Sequence, residues 1–158
     1  MLLIQTECRY EKTFSYTSDN EPTPNQWPAG HQTFRATLTT YYTELYDLGQ
    51  RLHSIFPIAL SLPEDYFAQK HRSCRASVKA LHYPSQKLQD SDVVGFGAHT
   101  DSTLFTLVYQ DGLGGLEVQD ANGEWIPVVP KGGTFVVNIG DLMQFFSGGT
   151  CSRLDIGW

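Results

Sequence analysis

The chain is 158 residues long, 41% hydrophobic and 18% charged, with a formal net charge of −6. That length fits one ordinary domain with a real core, and that charge disfavours nucleic acid, whose phosphates call for a basic face. Three scattered cysteines, Cys8, Cys74 and Cys151, are no disulfide framework, and no apolar run is long enough for a signal peptide or a membrane span, so a cytoplasmic protein with no membrane partner is expected.

Residues 1–32 lack clear periodicity, and Glu21 to Pro28 reads as an irregular loop because its three prolines remove backbone donors. From Thr33 to about Phe56, apolar residues recur in steps of three and four: Phe34, Leu38, Tyr41, Leu45, Leu48, Leu52 and Ile55. That spacing predicts an amphipathic helix with this stripe in the core, kinked or ended at Pro57. Ser61-Leu62-Pro63-Glu64 has the form of a capping box and predicts a short helix through Tyr66 and Phe67.

Glycine then marks a change of architecture, because 11 of the 14 fall between Gly95 and Gly149. Strands are predicted at 76–83, 93–98, 104–109, 116–119, 125–129 and 134–139, with a polar loop at 86–92. Asp120-Ala121-Asn122-Gly123 is a hairpin signal between the fourth and fifth of them. Short strands at this spacing suggest a sandwich or barrel. The organisation read from sequence is α+β: a loop and helical region over 1–74, a β part over 75–149, and a tail over 150–158.

His99-Thr100-Asp101 carries the chemistry. In an extended backbone, residues two apart share a face. An imidazole and a carboxylate so placed can hold one metal ion, and they are two thirds of the 2-His-1-carboxylate triad of non-haem Fe(II) oxygenases. With five histidines and 17 acids in the chain, about 0.5 such pairs would arise by chance, so the pair needs its context. His71 and Cys74 have a possible ligand spacing but no matching second pair. His53 and His82 read as packing or surface residues, and Cys74 and Cys151 have no evident base for nucleophilic catalysis. Gly112-Leu113-Gly114-Gly115 is a turn, since no Gly-Lys-Ser/Thr follows it. No catalytic acid or base is singled out.

The run from His99 to Val118 resembles the iron- and 2-oxoglutarate-dependent dioxygenases of the isopenicillin N synthase type. It shows His-Thr-Asp, a Leu-Thr-Leu strand, Gln110-Asp111, Gly114-Gly115-Leu116 and a further strand. The match continues through Gly123-Glu124-Trp125 and Val137-Asn138-Ile139-Gly140-Asp141-Leu142-Met143-Gln144. Upstream it takes in Asn25-Gln26-Trp27-Pro28, the helix with Tyr41 and Tyr42, and Leu62 to Phe67. The resemblance implies a double-stranded β-helix (jelly-roll) barrel, with His99 and Asp101 as Fe(II) ligands and Tyr83 as a contact to the 2-oxoglutarate carboxylate. It implies O₂ and a small-molecule substrate as reaction partners, with hydroxylation, desaturation or ring closure as outcomes. Leu81 stands where some relatives carry a cofactor-binding asparagine.

The family pattern breaks after about Gly149. It would continue to a Ser/Thr-x-x-His-Arg-Val segment, whose histidine is the third ligand, and then to an arginine that forks onto 2-oxoglutarate. No histidine follows His99, and Arg153 comes too early for the second role. The expectation is therefore a barrel truncated at both ends, in a shortened product with low or no turnover of its own. The alternative is a non-catalytic remnant acting as a binding or dimerising protein, and a second chain completing the site is a third possibility.

Overall fold

The computed structural model describes residues 12–70, 75–85 and 95–157. They fall into two compact units, Thr13–His82 and the unit containing Tyr83–Trp158. The predicted loop at 86–92, the start of the predicted strand at 93–98, and the His71 and Cys74 pair lie outside the described residues.

The first unit holds β1 (Lys12–Thr17), α1 (Gln32–Ala59), α2 (Tyr66–Lys70) and β2 (Ser77–His82). Strand β1 pairs with β2, so β2 clusters with the helices rather than with the later strands. Tyr16 is buried, and the rings of Phe14, Trp27 and Tyr42 lie 5.6–6.4 Å from its ring. The Asn25 side chain closes the end of β1, accepting from the Thr17 N–H at 2.9 Å and donating to the Thr17 carbonyl at 2.8 Å. The Asn-Gln-Trp-Pro loop thus stands in for a strand partner at this edge.

Helix α1 forms where predicted but passes Pro57 and ends at Ala59. A proline so close to the last turn removes a single intrahelical bond, and its pyrrolidine is buried. The predicted core stripe is only half covered. Leu38, Leu45, Leu48 and Leu52 are half-buried, while Phe34, Tyr41 and Ile55 are exposed.

The predicted capping box does not form, because Ser61 closes α1 instead of opening α2. Ser61 adopts φ 56°. Its N–H donates to the Ile58 carbonyl at 3.0 Å, and the Leu62 N–H donates to the Pro57 carbonyl at 2.8 Å. These are the paired bonds of a Schellman motif, with serine at the left-handed position usually held by glycine. Helix α2 begins at Tyr66, whose N–H bonds to Pro63, and Asp65 accepts from the Gln69 side chain at 2.6 Å.

The second unit holds β3 (Phe105–Val108), β4 (Glu117–Gln119), β5 (Trp125–Pro127), β6 (Val136–Ile139), α3 (Asp141–Phe146) and β7 (Ile156–Gly157). Strands β3 and β6 pair antiparallel with Thr106 opposite Asn138. Strands β5, β4 and β7 form a second antiparallel sheet in that order. The β4–β5 hairpin turns where predicted. The Asp120 carboxylate accepts from the N–H groups of Asn122 and Glu124, and Gly123 supplies φ 86°. Residues 95–98 form no strand. Residues 156–157, unmatched by sequence motif, form β7 and pair with β4 in the second sheet. Among the described residues of this unit, Leu116, Met143 and Ile156 are the buried hydrophobic side chains.

Candidate metal centre

His99 and Asp101 stand where the chain leaves the 95–98 bend and enters the loop before β3. His99 forms an isolated antiparallel bridge to Ile156. Its N–H donates to the Ile156 carbonyl at 3.0 Å, and the Ile156 N–H donates back at 2.9 Å. The ring packs edge-on to Phe96 with centroids 4.2 Å apart. Its Nδ1 lies 2.9 Å from the Gly97 carbonyl oxygen. A carbonyl only accepts, so Nδ1 is the donor here, and in the neutral ring the lone pair is then on Nε2. Fixing the outer nitrogen in this way is how proteins aim a ligating imidazole.

Asp101 is held from two strands. Its Oδ2 accepts from Thr106 Oγ1 at 2.5 Å and from Asn138 Nδ2 at 2.8 Å. Thr106 and Asn138 are direct register partners in the β3–β6 ladder, so their side chains share a face and close on one oxygen. That leaves Oδ1 turned toward His99 Nε2, 3.6 Å away. Neither residue was singled out from sequence for this role, although a threonine and an asparagine inside apolar strands were a readable signal.

Helix α3 fixes the loop's backbone. The first N–H groups of a helix have no partner within it. Here Asp141 N–H donates to the Asp101 carbonyl at 2.7 Å and Leu142 N–H to the Thr103 carbonyl at 3.2 Å, while Gly140 N–H reaches Leu104 at 2.9 Å. A Cβ on Gly140 would meet the carbonyl oxygens of Asp101, at 2.5 Å, and of Thr103, closer still. Only glycine lets the two backbones approach so closely.

The pair fits a divalent metal as far as it goes. Nitrogen and oxygen ligands sit about 2.0–2.2 Å from such an ion, so atoms 3.6 Å apart can both reach it. Asn138 is buried, and its Oδ1 has no partner among the described residues, which leaves an acceptor beside the carboxylate. The complete triad is absent: among the described residues, no three His, Cys, Asp or Glu side chains cluster to hold an ion. Tyr83 directly follows β2 and is half-buried. His53 packs against Phe67 at 5.7 Å, and His82 is exposed. Arg153 bridges to Asp141 at 3.0 Å.

The family model described as the 2OG-Fe(II) oxygenase superfamily matches residues 67–154. The chain is 40% identical over 127 residues to the 2-oxoglutarate-Fe(II) type oxidoreductase hxnY of Emericella nidulans, covering 77% of this chain and 36% of that protein. It is 33% identical over 128 residues to the homoarginine-6-hydroxylase 2-ODD-C23.2 of Arabidopsis thaliana, covering 80% of this chain and 35% of that protein. Among solved structures, a full-length Neurospora crassa protein crystallised in complex with alpha-KG and thymine superposes with a TM-score of 0.88 at 27% identity. That match covers 96% of this chain and 48% of the other. The chain thus spans little more than a third of these curated relatives.

Proposed function

This chain belongs to the 2OG-Fe(II) oxygenase superfamily, and from that premise we propose that His99 and Asp101 are its protein ligands for Fe(II) in the oxidation of a small molecule. The observation that carries this reading is the aimed pair, Nε2 against Oδ1 at 3.6 Å, with both outer atoms anchored. Iron and 2-oxoglutarate, when bound, supply the oxidation of a substrate C–H bond by O₂ with loss of carbon dioxide from the oxoacid. This chain's residues do the holding. His99 presents its imidazole Nε2, Asp101 a carboxyl oxygen kept in place by Thr106 and Asn138, and Phe96 packs against the ring. Tyr83 is assigned to the 2-oxoglutarate carboxylate, as the resemblance implies.

The two sheets are read as part of the jelly-roll barrel. Small-molecule substrate and O₂ are the partners, without nucleic acid. No helix among the described residues is long and apolar enough to cross a membrane, and a cytoplasmic site of action is part of the proposal. The second reading is a non-catalytic binding or dimerising protein; among the described residues, His99 and Asp101 are joined by no third His, Cys, Asp or Glu.

The test is a Co(II) titration of the purified 158-residue chain, followed by calorimetry. Weak binding is expected in the parent, lost in His99→Ala and in Asp101→Ala and kept in His82→Ala. Binding that survives both ligand substitutions would refute the assignment. Iron-dependent succinate formation by the parent chain would refute the expected low turnover.

A further inference from the structure

Position 156 completes the geometry that the two ligands begin. His99 and Ile156 exchange both of their backbone hydrogen bonds, the closely bonded pair of an antiparallel ladder. Directly opposed residues in such a pair project their side chains from the same face, with Cβ atoms about 4.5–5.5 Å apart. Ile156 is also opposite Val118, and Val118 is opposite Ile126. His99, Ile156, Val118 and Ile126 therefore form one row across the sheet.

We propose that residue 156 is the third protein-ligand position of the His99–Asp101 centre, and that Ile156 fills it with a side chain that cannot donate. The inference rests on the reading of His99 and Asp101 as ligands. Ile156 is 5% exposed, so the position is enclosed rather than open to water. Its neighbours in the strand offer no substitute. Side chains alternate along a strand, so Asp155 is directed to the other face, and Gly157 has no side chain. Arg153 is occupied with Asp141. The segment after α3 thus supplies the strand that a third ligand needs without supplying the ligand. Among the described residues, an ion held here would draw on His99 and Asp101 without a third imidazole, thiolate or carboxylate.

The experiment compares Co(II) affinity and visible absorption in the full 158-residue chain and three variants, with folding followed by circular dichroism. Ile156→His is expected to tighten binding roughly 100-fold or more, because even an outer partner of a ligand is worth about 10–100-fold. Asp155→His, on the opposite face, is expected to bind like the parent. Ile156→Cys is smaller and tolerates burial, and it is expected to show a thiolate-to-cobalt charge-transfer band. It carries the test if the histidine variant does not fold. A folded Ile156→His with parental affinity, a folded Ile156→Cys without the band, or an equal gain in Asp155→His would each overturn the proposal. His99→Ala in the Ile156→His background separates the two readings. Loss of the gain keeps His99 as a ligand, whereas a gain that persists without His99 refutes the pair itself.

Discussion

Replacing Gly140 with alanine should be among the most damaging single-methyl additions in the second unit. The added Cβ would sit 2.5 Å from the Asp101 carbonyl oxygen and nearer still to that of Thr103. Carbon and carbonyl oxygen ordinarily meet at about 3.3–3.6 Å. Both obstacles are backbone, so no rotamer change relieves the overlap, and the loop must move by about an ångström. Overpacking of this kind costs about 1–3 kcal/mol. The shift also strains the hydrogen bonds from Gly140, Asp141 and Leu142, each worth about 1 kcal/mol net. A loss of about 3–5 kcal/mol is expected, a large share of the 5–15 kcal/mol or so typical of a domain. Amide hydrogen exchange of β3 and β6 reads the stability of this unit by itself. Gly132→Ala is the control, since nothing lies within 4 Å of its added carbon, and it should change protection by less than about 1 kcal/mol. A Gly140→Ala effect as small as the control would refute the close-approach argument.

Two further outcomes follow from the first unit. Ser61→Gly should raise its stability by about 1 kcal/mol, because a left-handed non-glycine residue costs about 1–2 kcal/mol; Ser61→Ala should bring no gain, and thermal melting distinguishes the two. Asp19 is held below the ordinary carboxylate range, first by its hydrogen bond from Arg35 and then by that from Asn25. A depressed pKa stabilises the fold above the unfolded value and loses that contribution as pH falls through the folded one. Asp19→Asn should therefore be less stable at neutral pH, by no more than about 1 kcal/mol for so exposed a pair, and the difference should close below pH 4 or so. A gap that stays constant in urea titrations at pH 7 and pH 2.5 would count against it.

What could be read from sequence was local. The 3.6-residue spacing from Phe34 to Ile55 identified α1, and Asp120 to Gly123 identified a turn whose bonds are all within five residues. His99 and Asp101 could be paired because strand geometry relates residues two apart. The misses all needed a partner distant in the chain or a local conformation with two sequence solutions. Ser61 could open a helix or close one, and it closes α1, with the Leu62 N–H donating to the Pro57 carbonyl. Strand β1 carries an alternation, Phe14 and Tyr16, too short to stand out without β2. Thr106 and Asn138 became a clamp only when β3 met β6 in one register. Ile156 sits in a strand of two residues, which no propensity could announce.

The bridge between His99 and Ile156 also bears on the order of assembly. The two residues lie about 60 positions apart, and closing a loop of that length costs about 3–4 kcal/mol of chain entropy. The clamp on Asp101 is likewise long-range, with Asn138 37 residues away. The β4–β5 turn can form early from neighbours alone, whereas the Ile156 bridge and the Asn138 bond wait for distant chain to arrive, and only the Phe96, Gly97 and Thr106 contacts are local. The donor pair is therefore a late product of folding. A metal ion that binds it would report on completed topology rather than nucleate it.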